Sequence, residues 1–233
     1  MLANQTARGI AFMCLAVSLF PFLNATVKML GADYAVQQIL WVRYLGHFVL
    51  MLLIFLPFHG LNLFRTDNLV AQLIRSLLLL GSTSCYFLAL TYLPLTTAAA
   101  ISFTSPFMVT ALSVPFLGER VGPRRWAAVA VGFVGALIII RPGGDGFHGA
   151  ELLVVANAVF YSLYQIMTRR LAGRDNPATT ITYTAIFGAI LTSLVGPIYW
   201  VTPVVEIHWA MLAATGLIGG LGHFFVVKAF QFA

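Results

Sequence analysis

Charged positions divide the chain into long apolar stretches. Arg8 to Lys28 encloses 19 uncharged residues, Arg43 to Arg65 encloses 21, and Glu206 to Lys228 another 21. Each approaches the roughly 20 residues a helix needs to cross a bilayer, so each predicts one crossing. Arg75 to Glu119 encloses 43, too many for one helix, and Leu93-Pro94-Leu95 offers a turn at its middle because proline removes a helical donor. Stretches of 15 residues between Arg125 and Arg141 and of 17 between Glu151 and Arg169 are shorter; their terminal arginines can snorkel, so both still span. The pattern predicts eight helices, near 8–30, 36–56, 70–93, 96–116, 124–140, 150–169, 178–200 and 209–233.

Composition sharpens this to an all-α integral membrane protein. Sixty per cent of the 233 residues are hydrophobic and 9% are charged, against about 25% charged in a soluble domain. Because further spans follow it, the first apolar segment is a retained helix and not a cleaved leader. With the N-terminus in the cytoplasm, Arg8, Arg65, Arg75, Arg120, Arg124, Arg125, Arg169, Arg170 and Arg174 fall inside, and Lys28, Arg43 and Arg141 fall on the outer half. This bias matches the rule that cytoplasmic loops are rich in Lys and Arg. It also accounts for the basic pI of about 9.7 without nucleic acid. Trp126, Tyr199, Trp200 and Trp209 sit near predicted helix ends, as interfacial anchors do. Cys14 and Cys85 have no partners at metal spacing and read as packing residues.

A shift of about 140 residues lays Gly9 over Gly149, Ala16 over Ala156 and Phe20 over Phe160, and a near-equal shift lays Gly81-x4-Tyr86 over Gly220-x4-Phe225. The pattern implies two inverted five-helix repeats, residues 1–141 and 142–233, the second truncated after three helices of an expected ten in all.

The richest polar stripe is Asn157, Tyr161, Tyr164, Gln165 and Thr168, which share one face of the sixth helix. These groups either line a solvated cavity or bond neighbouring helices as packing glue. Pro21, Asn24 and Lys28 occupy the corresponding face of the first helix, and the two stripes suggest a central cavity. Arg43 and His47 share a face of the second helix, with Gly46 beside them leaving room for close approach. Arg43 serves either as a snorkelling residue or as an anion or ring anchor for substrate; His47 reads more as a packing residue than a proton carrier. Thr180, Tyr183 and Thr184 share a face of the seventh helix, and Lys228 is a further intramembrane cation. Ser105 and Pro106 can bend the fourth helix. Ala128-x-x-x-Gly132 reads as a close-packing motif. No carboxylate falls well inside a predicted span, and no Walker loop, HExxH or GxSxG is present, so no cofactor, metal or catalytic residue is expected.

Ser105-Pro106-Phe107, Leu117-Gly118-Glu119-Arg120, Arg125-Trp126, the glycine-rich run from Gly132 to Leu137 and the closing Arg141-Pro142-Gly143 together resemble the end of an EamA repeat of the drug/metabolite transporter superfamily. The resemblance implies ten helices, both ends cytoplasmic, a central substrate cavity between repeats, and a structural or gating role for Glu119. Lys28, the Gln37-Gln38 pair and Arg43 resemble members that take up riboflavin or S-adenosylmethionine. The expected function is a secondary transporter that moves a small polar metabolite across the bacterial inner (plasma) membrane by alternating access. An exporter of amino acids or drugs is the alternative within the family, and a channel or membrane-embedded enzyme the alternative outside it. Expected partners are a small-molecule substrate and the lipid bilayer, without nucleic acid; a homodimer stays open.

Overall fold

The computed structural model describes residues 2–118, 121–140 and 149–232. In chain order its helices are α1 (Leu2–Leu30), α2 (Val36–His59), α3 (Leu69–Tyr92), α4 (Leu95–Ser102), α5 (Ser105–Leu117), α6 (Pro123–Ile140), α7 (Ala150–Leu171), α8 (Pro177–Ser193) and α9 (Glu206–Gln231). Short 3-10 turns at Gly60–Phe64 and Gly196–Tyr199 follow α2 and α8. Six spans among the described residues are long and apolar enough to cross a membrane, one of them running from α4 through α5. Large apolar side chains lie on the outside of the helices, Leu53 at 70% and Val131 at 73% exposed, which suits hydrocarbon and not water.

Local chemistry sets the helix ends. Asn176 caps α8, its side-chain oxygen accepting from the Ala178 amide at 2.9 Å, and Pro177 occupies the first turn where no donor is lost. Gly118 ends α5 with φ +69°, the left-handed conformation that glycine adopts without a Cβ penalty. The helix predicted over 178–200 stops at Ser193; Gly196-Pro197 cannot continue it, because proline lacks the amide and disfavours helical backbone in the residue before it. The fourth predicted helix, 96–116, is divided at Phe103 and Thr104, immediately before Ser105-Pro106. Pro21 stays inside a continuous α1.

The chain forms two compact units, one of Met1–Leu77 with Leu171–Ala233 and one of Leu78–Arg170. In the first, α9 packs against α1, α2 and α8. At the crossing of α2 and α9 a Cβ on Gly216 would stand 2.8 Å from the Cα of Gly46, so the small residues permit backbone approach, as Gly46 predicted. One end of this unit is clasped by Gln38, whose amide donates to the Val201 carbonyl at 2.8 Å and accepts from the Val201 amide at 2.9 Å. The Tyr34 hydroxyl meets His208 Nδ1 at 2.8 Å on the same side. At the other end Asp175 accepts from Thr66 and from Gln72, each at 2.8 Å. In the second unit α6 packs against α4 and α5; a Cβ on Gly132 would fall 2.3 Å from the Phe107 ring, so Gly132 packs closely as expected, whereas Ala128, one turn before it, is exposed and takes no part. Cys14, expected to pack, is exposed; in a bilayer a small apolar thiol faces lipid at little cost.

Candidate functional site

In the first unit, basic side chains converge from three helices. Arg43 lies seven residues into α2, about 10 Å from its start, and is 1% exposed. Its guanidinium carbon sits 4.6 Å from the Tyr44 ring centroid, a cation–π contact that helps hold a charge out of water. One turn further on, His47 is fully buried, and neither ring nitrogen has a hydrogen-bond partner among the described residues. Both residues press on α9 where it carries no side chain. A Cβ on Gly219 would be 2.9 Å from Arg43 Nε, and one on Gly220 would be 2.8 Å from His47 Cδ2.

Arg75 approaches from the opposite end of the unit, six residues into α3. The sequence placed it among the cytoplasmic charges; it is 0% exposed. It donates to the Thr180 carbonyl at 3.0 Å and to the Thr184 hydroxyl at 2.5 Å, both on α8. The face of Thr180 and Thr184 noted in the sequence is thus the seat of an arginine the sequence reading passed over. His223 on α9 is the fourth member, buried against Phe20 with ring centroids 5.1 Å apart. No Asp or Glu is among the buried described residues of this unit.

Arg75 and His223 left sequence signals. Gln72, Arg75 and Ser76 repeat at helical spacing on α3, and His223 follows three glycines within four positions, a run that clears space beside a helix. The rest of the first-unit candidates lie nearby in sequence but contribute differently. Asn24 and Lys28 are half-buried on α1, and Pro21 is exposed. Tyr183 donates to the Phe64 carbonyl at 2.8 Å and stacks on Phe187, so it fastens the turn after α2. Lys228 is half-buried, its ammonium 5.9 Å from the Phe224 ring centroid.

In the second unit, two members of the α7 stripe, Asn157 and Thr168, hydrogen-bond within the bundle. Ser82 on α3 donates to the Asn157 amide oxygen at 2.7 Å, and the Thr168 hydroxyl returns to the Tyr164 carbonyl at 2.7 Å. Tyr161 and Tyr164 stack on each other with centroids 5.7 Å apart; Tyr164 is fully buried, and Tyr161 and Gln165 are half-buried. Ser162, beside the stripe, donates to the Ser105 carbonyl at 3.2 Å, the carbonyl at the bend made by Pro106. The Thr104 hydroxyl at that bend is buried without a partner among the described residues. Glu119, expected to gate, lies outside the described residues.

Apolar helices of spanning length, with arginines and histidines buried among them, define an integral membrane protein. The family model described as the EamA-like transporter family matches residues 7–141, and the chain belongs to that family. It is a membrane transporter and not an enzyme. It is 28% identical to an S-adenosylmethionine uptake transporter of Rickettsia felis over 96% of this chain and 75% of that one. A riboflavin transporter of Rhizobium johnstonii is 32% identical over 99% and 76% of the two chains. A pseudopaline exporter of Pseudomonas aeruginosa is 28% identical over 99% and 81%. A solved crystal structure with 20% identity superposes with a TM-score of 0.69, covering 98% of this chain and 79% of its own, and shows the fold alone.

Proposed function

We propose that the chain carries a small polar metabolite across a bacterial inner membrane by alternating access, as one of two inverted repeats rocks against the other, with its N-terminus in the cytoplasm. The observation that carries this reading is the burial of Arg43 and His47 in the apolar interior of an EamA-family bundle. An intramembrane charge is costly, and the sequences that keep one use it on a solute pathway. The orientation is supported by the bias of arginines toward the loops that the predicted crossings place inside; of these, Arg8, Arg65, Arg124, Arg125, Arg169, Arg170 and Arg174 are exposed and Arg75 is buried. The relatives' names point to polar metabolites, two of them taken up or moved and one exported, so the direction of net flux follows from gradient and coupling.

Uptake of radiolabelled S-adenosylmethionine and riboflavin into proteoliposomes tests the reading. Arg43→Ala in α2 and Tyr164→Ala in α7 are each expected to lower the rate at least tenfold. Undiminished uptake by both variants would remove these residues from the pathway, and conductance far above carrier turnover in a planar bilayer would replace the carrier by a channel.

A further inference from the structure

Buried hydroxyls on several helices share one arrangement. Ser76, Ser162, Thr168, Thr184 and Thr192 each donate to the carbonyl four residues earlier on the same helix, which satisfies the hydroxyl without a further group. Thr104 departs from it: its hydroxyl is buried and has no partner among the described residues. Thr104 stands just before α5, where a side-chain oxygen ordinarily caps an amide of the first turn. Of those amides, the one at position 106 is missing because the residue is proline, and that of Phe107 goes to the Thr104 carbonyl at 3.0 Å. Valine has nearly the same shape as threonine and would avoid burying an unbonded hydroxyl.

The break between α4 and α5 lies at mid-depth on two counts. Phe103 and Thr104 are the ninth and tenth residues of the 23-residue span Leu95–Leu117. Ser162 of α7, whose hydroxyl reaches the Ser105 carbonyl at 3.2 Å, is the thirteenth of the 22 residues of Ala150–Leu171. Discontinuous helices at the midplane are where carriers hold their solutes. Pro106 also has no amide to give the Ser102 carbonyl. Gln165, half-buried, follows Ser162 by three residues and so shares its face of α7. The charged side chains of this unit among the described residues lie away from that depth: Glu151 is in the first turn of α7, Arg169 and Arg170 in its last, and Arg124 and Arg125 open α6.

We propose that this break is a solute subsite in which the Thr104 hydroxyl bonds an uncharged group with an N–H beside a carbonyl or ring nitrogen, the edge of an imide or an amino-heterocycle. A hydroxyl both donates and accepts, and the Gln165 amide offers the same pair on the neighbouring helix. A neutral surrounding selects a neutral group, since nothing at that depth in this unit offsets the burial of a charge. The inference rests on the transport reading for its solute and adds the place and chemistry of one contact.

The experiment uses the purified full chain and two probe pairs that differ at this edge by methylation: riboflavin with 3-methylriboflavin, and S-adenosylmethionine with its N6,N6-dimethyl analogue. Affinity is read from saturable thermal stabilisation. In at least one pair the unmethylated member is expected to bind at least about fivefold more tightly; the ratio is expected to fall to within about twofold in Thr104→Val and to persist in Thr104→Ser, which keeps the hydroxyl. Valine removes the bond and keeps the shape, so a ratio set by the bulk of the added methyl survives it. Without probe, Thr104→Val is expected to melt no lower than the unsubstituted chain, because no bond is lost. A fall of several degrees, or loss of monodisperse protein, would make the hydroxyl a fastener and overturn the subsite. Equal affinity within both pairs, a ratio that survives Thr104→Val or is lost equally in Thr104→Ser, or no saturable binding by any probe overturns it as well. Proteoliposome uptake keeps the two readings apart: riboflavin uptake that is the same with and without Thr104→Val retains the carrier and removes the subsite, and Thr104-dependent binding without uptake does the reverse.

Discussion

The seam between α2 and α9 in the first unit and the stripe of α7 in the second both place polar side chains inside an apolar bundle. On α7 the polar atoms are neutral, and two of them are met by a neighbouring hydroxyl or the helix's own carbonyl: Ser82 reaches Asn157, and Thr168 reaches back one turn. At the seam the polar groups are basic, the facing backbone has been stripped to glycine, and the His47 nitrogens find no partner. Neutral groups in hydrocarbon add modest packing energy once paired. The unpartnered His47 nitrogens keep a hydrogen-bonding capacity that a further polar group can answer.

Substitutions can break this contrast. The largest effect is expected at Gly216→Val: its Cβ would meet the α2 backbone, which cannot rotate away, so the seam loses about 3 kcal/mol and the yield of monodisperse protein collapses. Near-normal yield and melting temperature would show that the helices separate freely and that the glycines are incidental. Gly188→Ala comes next, because its Cβ would fall 2.0 Å from the Tyr44 ring; a side chain can shift where backbone cannot, so a loss of about 1–2 kcal/mol is expected in thermal unfolding, together with weakened transport as the Arg43 platform moves. Retained transport at reduced stability would detach Tyr44 from the site. Ser82→Ala in the second unit is expected to cost only about 0.6 kcal/mol, the mean for interhelical hydrogen bonds in membranes, with uptake unchanged; a tenfold drop in uptake would make Asn157 a solute contact. Smallest is Thr168→Val, whose hydroxyl bonds its own helix: stability is expected to move by less than about 0.5 kcal/mol with uptake unchanged, and a transport defect would make the Thr168 hydroxyl itself a solute contact.

Much of the fold was legible because hydrocarbon is an unforgiving solvent. Uninterrupted apolar runs mark helices, and prolines mark where they bend or stop, as at Ser105-Pro106. The exception, 178–200, failed because apolar residues persist through Ile198 and Val201 after Gly196-Pro197 has ended the helix. The candidate site was legible only in part. Arg43 and His47 stood out by depth and spacing, and Gly46 by its position beside them. Arg75 did not, because an arginine a few residues into a helix has the same sequence signature whether it snorkels to an aqueous loop or turns inward to Thr180 and Thr184. Gln38, carried along with its neighbour as a subgroup feature, proved to be a clasp on the Val201 backbone.

Sequence alone determined that this is an apolar helical membrane protein with motifs of an EamA repeat, since the length of uncharged runs and the placement of arginines answer to the bilayer and not to any particular partner. Tertiary structure decided which of the polar groups are spent on packing and which are gathered. Whether a buried side chain has a partner depends on what a distant helix presents at that height. Thr184 stands 109 positions from Arg75, and Gly220 stands 173 from His47; no local pattern carries that pairing.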